Sequence, residues 1–333
     1  MRLIVIVEFL ILMISCRYEP IRFVNYQDCP LFDFNINRKT LVNECIFPQG
    51  LYVFDKYLVC VNINRGVDYP FYVYDKESLA FKYIAGNFGR GKGEFYDINP
   101  YYFEKTDSTV WINSNDYFLT EVYFGDTFEI KKTIPLINLT ISNLLKINDS
   151  VYLCDNRGVS EYIMFDIDNK HSKIKFGDYP DSPMEFQEVQ DKFNFYQKSI
   201  VINRNEGLMA SFYRNLPLIR FYDLDGKLIE NIKLEGINQY KGSIEDYYAG
   251  RMKVFYSNPV ATEAGIYVLY VNKNEAEFSK NQLLELQKWG WNGELLKRYV
   301  ITESFSLYTI AEDSVFYGIN VQENNSYFFK GNL

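Results

Sequence analysis

Few residues in this chain have the types and spacing of a chemical site. The segment Phe88-Gly89-Arg90-Gly91-Lys92-Gly93-Glu94-Phe95 sets three glycines at alternate positions, a pattern that lets bare backbone N–H groups approach a phosphate. A dinucleotide site or P-loop also needs a strand before the glycines and a helix after them. Here the glycines lead into Glu94-Phe95-Tyr96 and then Pro100, so they read as punctuation between strands, chosen because glycine accepts positive φ. Arg90 and Glu94 then either pair with each other or line the mouth of a channel. His171 is the single histidine; it can build neither a His-based triad with one to spare nor a His-rich metal site, and in Lys170-His171-Ser172 it reads as a solvated turn residue. Asp166-Ile167-Asp168 and Glu245-Asp246 have the chemistry of a glycosidase acid–base pair. Hairpin turns account for Asp166, Asp168, Asp223 and Asp225 without catalysis, and Glu245-Asp246 reads first as a solvated loop pair. Asp166-Ile167-Asp168-Asn169 is half of a calcium loop, lacking the glycine and distal glutamate of the full pattern. The reading therefore expects no metal and no cofactor, and it assigns no catalytic residue.

Aromatic residues are the compositional oddity, with 29 Tyr and 27 Phe. Tyrosine offers large contact area with few rotors and suits stacking on sugar faces or packing on a protein partner. Most must fill a core; Tyr101, Tyr102, Tyr179, Tyr240, Tyr247 and Tyr248 fall between the apolar runs and are the candidates for ligand stacking. The net charge is -8 with a pI near 5.0, and no basic stripe tracks a phosphate backbone, which sets nucleic acid aside. A monomer is expected.

The elements that must position these residues emerge as two interleaved repeats. A polar turn leads into an apolar strand six times: Asp55-Lys56-Tyr57-Leu58-Val59, Asp107-Ser108-Thr109-Val110-Trp111, Asp149-Ser150-Val151-Tyr152, Lys198-Ser199-Ile200-Val201, Ala264-Gly265-Ile266-Tyr267 and Asp313-Ser314-Val315-Phe316. Five hairpins follow them, spanning 71–84, 121–136, 162–176, 219–234 and 284–300, with turns near Asp75, Gly125-Asp126, Asp168-Asn169, Asp225-Gly226 and Asn292-Gly293. One unit of strand, strand, turn, strand, about 40 to 65 residues long, has the content of a propeller blade. The expected fold is all-β, a six-bladed β-propeller. The sixth unit starts at Asp313 and is one strand short, so an N-terminal strand from Leu31–Phe47, around Leu41-Val42, is expected to complete the last blade and close the ring. Short helical turns are expected in 184–192 and 243–254.

The N-terminus follows a different grammar. Arg2 is a positive start, Leu3–Ile14 is apolar, and Ser15-Cys16 closes the run. This is the pattern of an export signal, shorter than the roughly 20 apolar residues that span a bilayer. Met13-Ile14-Ser15-Cys16 resembles a bacterial lipobox, which implies that Cys16 is the lipid-bearing first residue of the mature protein. The domain plan is a lipoprotein signal peptide at 1–16, a tether at 17–28 and a propeller domain at 29–333. Cys60 and Cys154 lie within apolar runs and are expected as reduced core residues; Cys29 and Cys45 could bridge in an oxidising compartment.

Phe88 to Phe95 resembles the Gly-Arg-Gly-Pro-Gly-Glu-Phe signature of exported propellers in Bacteroidetes-type bacteria, with Lys92 at the usual Pro. Together with the lipobox, Asn258-Pro259-Val260-Ala261-Thr262 and the Trp291-Asn292-Gly293-Glu294 turn, the chain resembles the TolB-like six-bladed propeller lipoproteins. That resemblance implies fold and export and carries no agreed activity. The functional expectation is a binding or scaffold protein of the cell envelope, anchored in the outer membrane through lipid and holding a protein or glycan. The alternative is a polysaccharide hydrolase or lyase using carboxylates and tyrosines at a channel mouth.

Overall fold

The computed structural model describes residues 21–45, 48–63, 69–105, 109–114, 118–135, 144–167, 173–181, 184–237, 243–274, 277, 284–321 and 326–333, with the side chains of 100–105 and 173 excepted. The N-terminal segment supplies β1 (Ile21–Val24), β2 (Leu31–Asp33) and β3 (Asn35–Val42). Six sheets follow. Blade 1 is β4 (Gly50–Val53), β5 (Tyr57–Val61), β6 (Phe71–Asp75) and β7 (Phe81–Ala85); blade 2 is β8 (Ile98–Lys105), β9 (Val110–Ser114), β10 (Phe118–Phe124) and β11 (Phe128–Pro135). Blade 3 is β12 (Leu145–Lys146), β13 (Val151–Asp155), β14 (Ser160–Asp166) and β15 (Lys173–Asp178); blade 4 is β16 (Lys198–Asn203), β17 (Leu208–Tyr213), β18 (Leu218–Asp223) and β19 (Leu228–Leu234). Blade 5 is β20 (Lys253–Thr262), β21 (Gly265–Asn274), β22 (Leu284–Trp289) and β23 (Leu295–Ile301), and blade 6 is β24 (Leu307–Ala311), β25 (Val315–Asn320) and β26 (Ser326–Asn332).

The sixth blade is completed by β3, which runs antiparallel to β26 with Phe328 opposite Thr40 and Tyr327 opposite Leu41. The ring is thus a six-bladed propeller closed by its N-terminal strand, as the missing strand in the last repeat required. Five of the six turn-and-strand repeats are second strands of their blades (β5, β9, β13, β21 and β25). The exception corrects the reading: Lys198–Val201 begins the innermost strand of blade 4, and its second strand is β17. The four-strand blade also contains an inner strand that the repeat unit lacked. Those strands share no common length, running from the two residues of β12 (Leu145–Lys146) to the ten of β20 (Lys253–Thr262).

Blades stack face to face, so their middle strands are buried on both sides and read as continuous apolar runs; every residue of β5 is buried. Outer strands such as β11 alternate instead, half-buried against exposed. The core is accordingly a set of layers between blades, for example Phe212, Phe221 and Ile232 of blade 4 against Phe255, Tyr270 and Trp289 of blade 5. Hairpin turns use the expected chemistry: the Asp75 carboxylate accepts the Ser78 N–H at 2.7 Å, and Asp223 that of Lys227 at 2.8 Å.

Of the expected 17–28 tether, residues 21–28 lie among those described, and they are docked. β1 pairs in parallel with β19 on the outer edge of blade 4, Tyr26–Asp28 forms a 3-10 turn, and β2 pairs in parallel with β23 on blade 5. An open sheet edge recruits whatever strand can satisfy its N–H and C=O groups. None of the four described cysteines is in a disulfide, and all four are buried. Cys29 sits beside Arg298 and Glu285 of blade 5, while Cys45 contacts Cys60 in the layer between blades 6 and 1, so Cys29 and Cys45 do not meet. The expected helical turns are α1 (Val189–Phe195), at the end of the predicted span and past it, and α2 (Ile244–Tyr248).

Candidate functional site

One face of the ring carries the connections between blades, including the glycine-rich segment 86–97, α1 and α2. The other carries the tight turns. Inner strands surround a central channel of about 1080 Å³, reaching from Gln49 and Ser306 at the loop-bearing face to Asp55 and Asp313 at the turn face. Its walls include Leu51, Val53, Val201 and Val260, and its turn-face opening is ringed by Asp55, Glu263, Glu312 and Asp313 with Lys76 and Arg204. Several of these charges are engaged locally: Lys76 pairs with Glu312 at 2.8 Å, the Asp313 carboxylate accepts the Ala264 N–H at 3.2 Å, and Arg204 donates to the Lys146 carbonyl.

The glycine-rich loop is fastened by its own glutamate. Glu94 accepts the Gly91 N–H at 2.6 Å, and Gly91 O in turn accepts the Glu94 N–H at 3.1 Å. A Cβ at Gly89 would overlap the Glu94 carboxylate, and one at Gly91 would stand 2.9 Å from it; the glycines are there to leave room for that fold-back. An internal carboxylate thus takes the donor a phosphate would need. Phe95, 1% exposed, packs edge-on against Phe71 in the layer between blades 1 and 2. Arg90 pairs with Tyr96, not with Glu94: it donates to the Tyr96 hydroxyl at 3.0 Å and stacks on that ring. Neither Arg90 nor Glu94 lines the channel.

The densest group of titratable side chains is one that the sequence reading missed. Glu161, on β14 and 0% exposed, accepts from the Tyr213 hydroxyl at 2.6 and 2.7 Å, from Arg220 at 3.1 Å and from Tyr222 at 3.3 Å. Lys198 lies 3.4 Å from Glu161 and 3.7 Å from Asp155, with its ammonium over the Tyr162 ring. Two carboxylates balance two cations between blades 3 and 4. Burial first, and then the negative charge of Glu161, push the Tyr162 and Tyr213 phenols well up. Polar residues inside apolar strands (Glu161 before Tyr162, Arg220 within Ile219-Arg220-Phe221) were the available signal. Their partners come from four different strands, and no spacing rule links those.

Tyr179 does not stand free over this face. It is half-buried, donates to the Asn156 carbonyl at 2.9 Å, and has Lys192 over its ring. Tyr247 packs against Phe195, Tyr196 and Met252. Tyr248 differs: it is 61% exposed, yet its hydroxyl is fixed by Asp191 at 2.7 Å and Asn194 at 3.2 Å of α1. Val189, the first residue of α1, is also exposed on the loop-bearing face. Tyr101 and Tyr102 fall on β8, with side chains outside those described, and Cys16, His171 and Tyr240 also lie outside the described residues. Among the described residues no group of three His, Cys, Asp or Glu side chains has the arrangement to hold a metal ion.

Fold and site together define a six-bladed propeller with a wide channel, whose densest charged set is sealed between two blades. No protein-family model matches the chain, and no curated protein matches it. Among solved structures, a member of the DUF4221 family from Bacteroides vulgatus superposes with a TM-score of 0.57 at 14% identity, over 90% of this chain and 100% of that one. A candidate exported protein from Bacteroides fragilis superposes at 0.54 and 13% identity, over 91% and 99%. At such identities the likeness speaks for the fold alone.

Proposed function

We propose that this protein is an exported, lipid-anchored propeller that binds a protein or glycan of the cell envelope on its loop-bearing face. The observation that carries this reading is how the charged side chains are spent. Glu161, Asp155, Lys198 and Arg220 satisfy one another inside the wall between blades 3 and 4 and do not open onto the channel. Beside them, α1 and α2 hold Tyr248 in a fixed, exposed pose, and a pre-set aromatic of this kind loses little entropy on binding. Export is supported by the signal pattern ending at Cys16 and by the description of the Bacteroides fragilis neighbour; the TolB-like lipoprotein family remains the resemblance that fits both. Outer-membrane placement is part of the same proposal.

The carboxylates ringing the turn-face opening favour one second reading, a polysaccharide hydrolase or lyase drawing on Asp55, Glu263 or Asp313. The two readings part in one experiment. Protein extracted from its native membranes is captured with its ligands, alongside Cys16→Ala and Tyr248→Ala forms. A retained ligand that is lost with Tyr248→Ala supports recognition on the loop-bearing face. Turnover of envelope polysaccharide that is insensitive to Tyr248→Ala and abolished by Asp55→Asn or Glu263→Gln would replace this reading with the enzymatic one.

A further inference from the structure

The N-terminal segment wraps blades 4, 5 and 6 in succession, as β1, β2 and β3. Its docking at Ile21 leaves five residue steps from Cys16, a reach of about 17 Å when fully extended, where the sequence had suggested a tether of a dozen residues. Whatever holds Cys16 therefore holds the outer edge of blade 4 close by. That sector is where exposed apolar side chains gather. Five of the twelve large apolar side chains standing exposed among the described residues lie on the outer edges of blades 4 and 5: Phe23 (62%), Leu31 (51%), Phe32 (44%), Ile229 (54%) and Leu296 (40%). Edge strands facing water are normally blunted with charge, and a cluster of this kind marks a surface that something covers. The turn face instead carries exposed charge at Asp149, Asp225, Glu263 and Glu312, of which Asp149 pairs with Lys146 and Glu312 with Lys76, a polar surface that gains nothing by entering a bilayer.

We infer that the outer rim of blades 4 and 5 lies against the lipid bilayer to which Cys16 is joined, leaving both openings of the channel clear of the membrane. The inference rests on the reading of Cys16 as the lipid-bearing residue.

The native cysteines described are all buried, so an engineered exposed cysteine takes a polarity-sensitive label selectively. The full chain carrying Phe23→Cys, Leu31→Cys or Val159→Cys is labelled and reconstituted into phosphatidylethanolamine–phosphatidylglycerol vesicles with brominated acyl chains. Val159, 90% exposed between β13 and β14, reports the loop-bearing face. The expected result is quenching several-fold stronger at 23 and 31 than at 159. Equal quenching at all three positions, or stronger quenching at 159, overturns the inference. Retention of the chain on vesicles and its loss in Cys16→Ala report the anchor separately. Should the unsubstituted chain not be retained, the same labels are read with a Cys16→Ala chain held through a hexahistidine placed at residue 16 on nickel-chelating lipid, and the same comparison then decides the rim contact.

Discussion

Glu161→Gln is the perturbation whose cost the geometry specifies most closely. Glutamine keeps the shape but surrenders the charge and turns one acceptor oxygen into a donor. Lys198 lies beside one oxygen of this carboxylate and Arg220 donates to the other, so either orientation of an amide sets its NH2 against a cation that cannot accept, and Lys198 and Arg220 are left with Asp155 as the only carboxylate of the set. Removing one partner from a buried, paired charge set costs about 3–5 kcal/mol. With an unfolding entropy of about 2.1 cal/mol/K per residue over roughly 300 residues, the melting temperature should fall by about 5–8 °C. Calorimetry or a circular-dichroism melt reads this directly, provided the transition is reversible. Replacing all four charges, Asp155, Glu161, Lys198 and Arg220, together with apolar residues of similar volume should cost much less than Glu161→Gln alone, because no charge is then left buried without its partner. A drop under about 1 kcal/mol for Glu161→Gln would show that the charges are not pinned as described.

Gly89→Ala should destabilise the chain beside Glu94 and be close to neutral beside Glu94→Ala, since the clash is with that carboxylate; a double-mutant cycle on melting data should give a coupling of about 1–3 kcal/mol. Alkaline pH should also be costly. Tyr162 and Tyr213 have folded pKa values raised above the unfolded value of about 10, so the unfolded chain loses those protons first, and their stabilising contribution, intact below pH 10, declines as pH rises beyond it by about 1.4 kcal/mol per unit for each. Tyrosinate absorbance followed alongside denaturant melts checks this, and ionisation of all 29 tyrosines without unfolding would contradict it. Deleting the chain through Val42 removes β3 and opens β26 as an edge, so size-exclusion chromatography should show aggregation or loss of the cooperative melt.

Much of the architecture was legible because blades repeat. The third and fourth strands of five blades are local hairpins with Asp, Asn or Gly turns, and local rules suffice to find them. The inner strands were not legible, because they vary from two residues in β12 to ten in β20 and share no turn signature, and Lys198–Val201 was assigned to the wrong strand because its polar lead into an apolar run matches that of the second strands. β1 escaped notice because Ile21-Arg22-Phe23-Val24 is only four residues long and gains its partner, β19, from across the fold. The candidate site was legible residue by residue but not as an assembly. Arg90 and Glu94 were expected to pair or to line a channel mouth, yet the glycine N–H three residues away takes the Glu94 carboxylate ahead of the exposed guanidinium, which takes the Tyr96 ring instead. Tyr248 was legible as an aromatic between blades; that α1 would hold its hydroxyl was not.

Recognition at the loop-bearing face is the claim on which the rest depends. The most direct measurement places a photo-crosslinking amino acid at Tyr248 and, separately, at Asp225 on the turn face, in the full chain in its native cells, and identifies the adducts by mass spectrometry. The expected result is a single reproducible envelope adduct from position 248 that position 225 does not give. Adducts that are the same from both positions, or that arise from 225 alone, would contradict it.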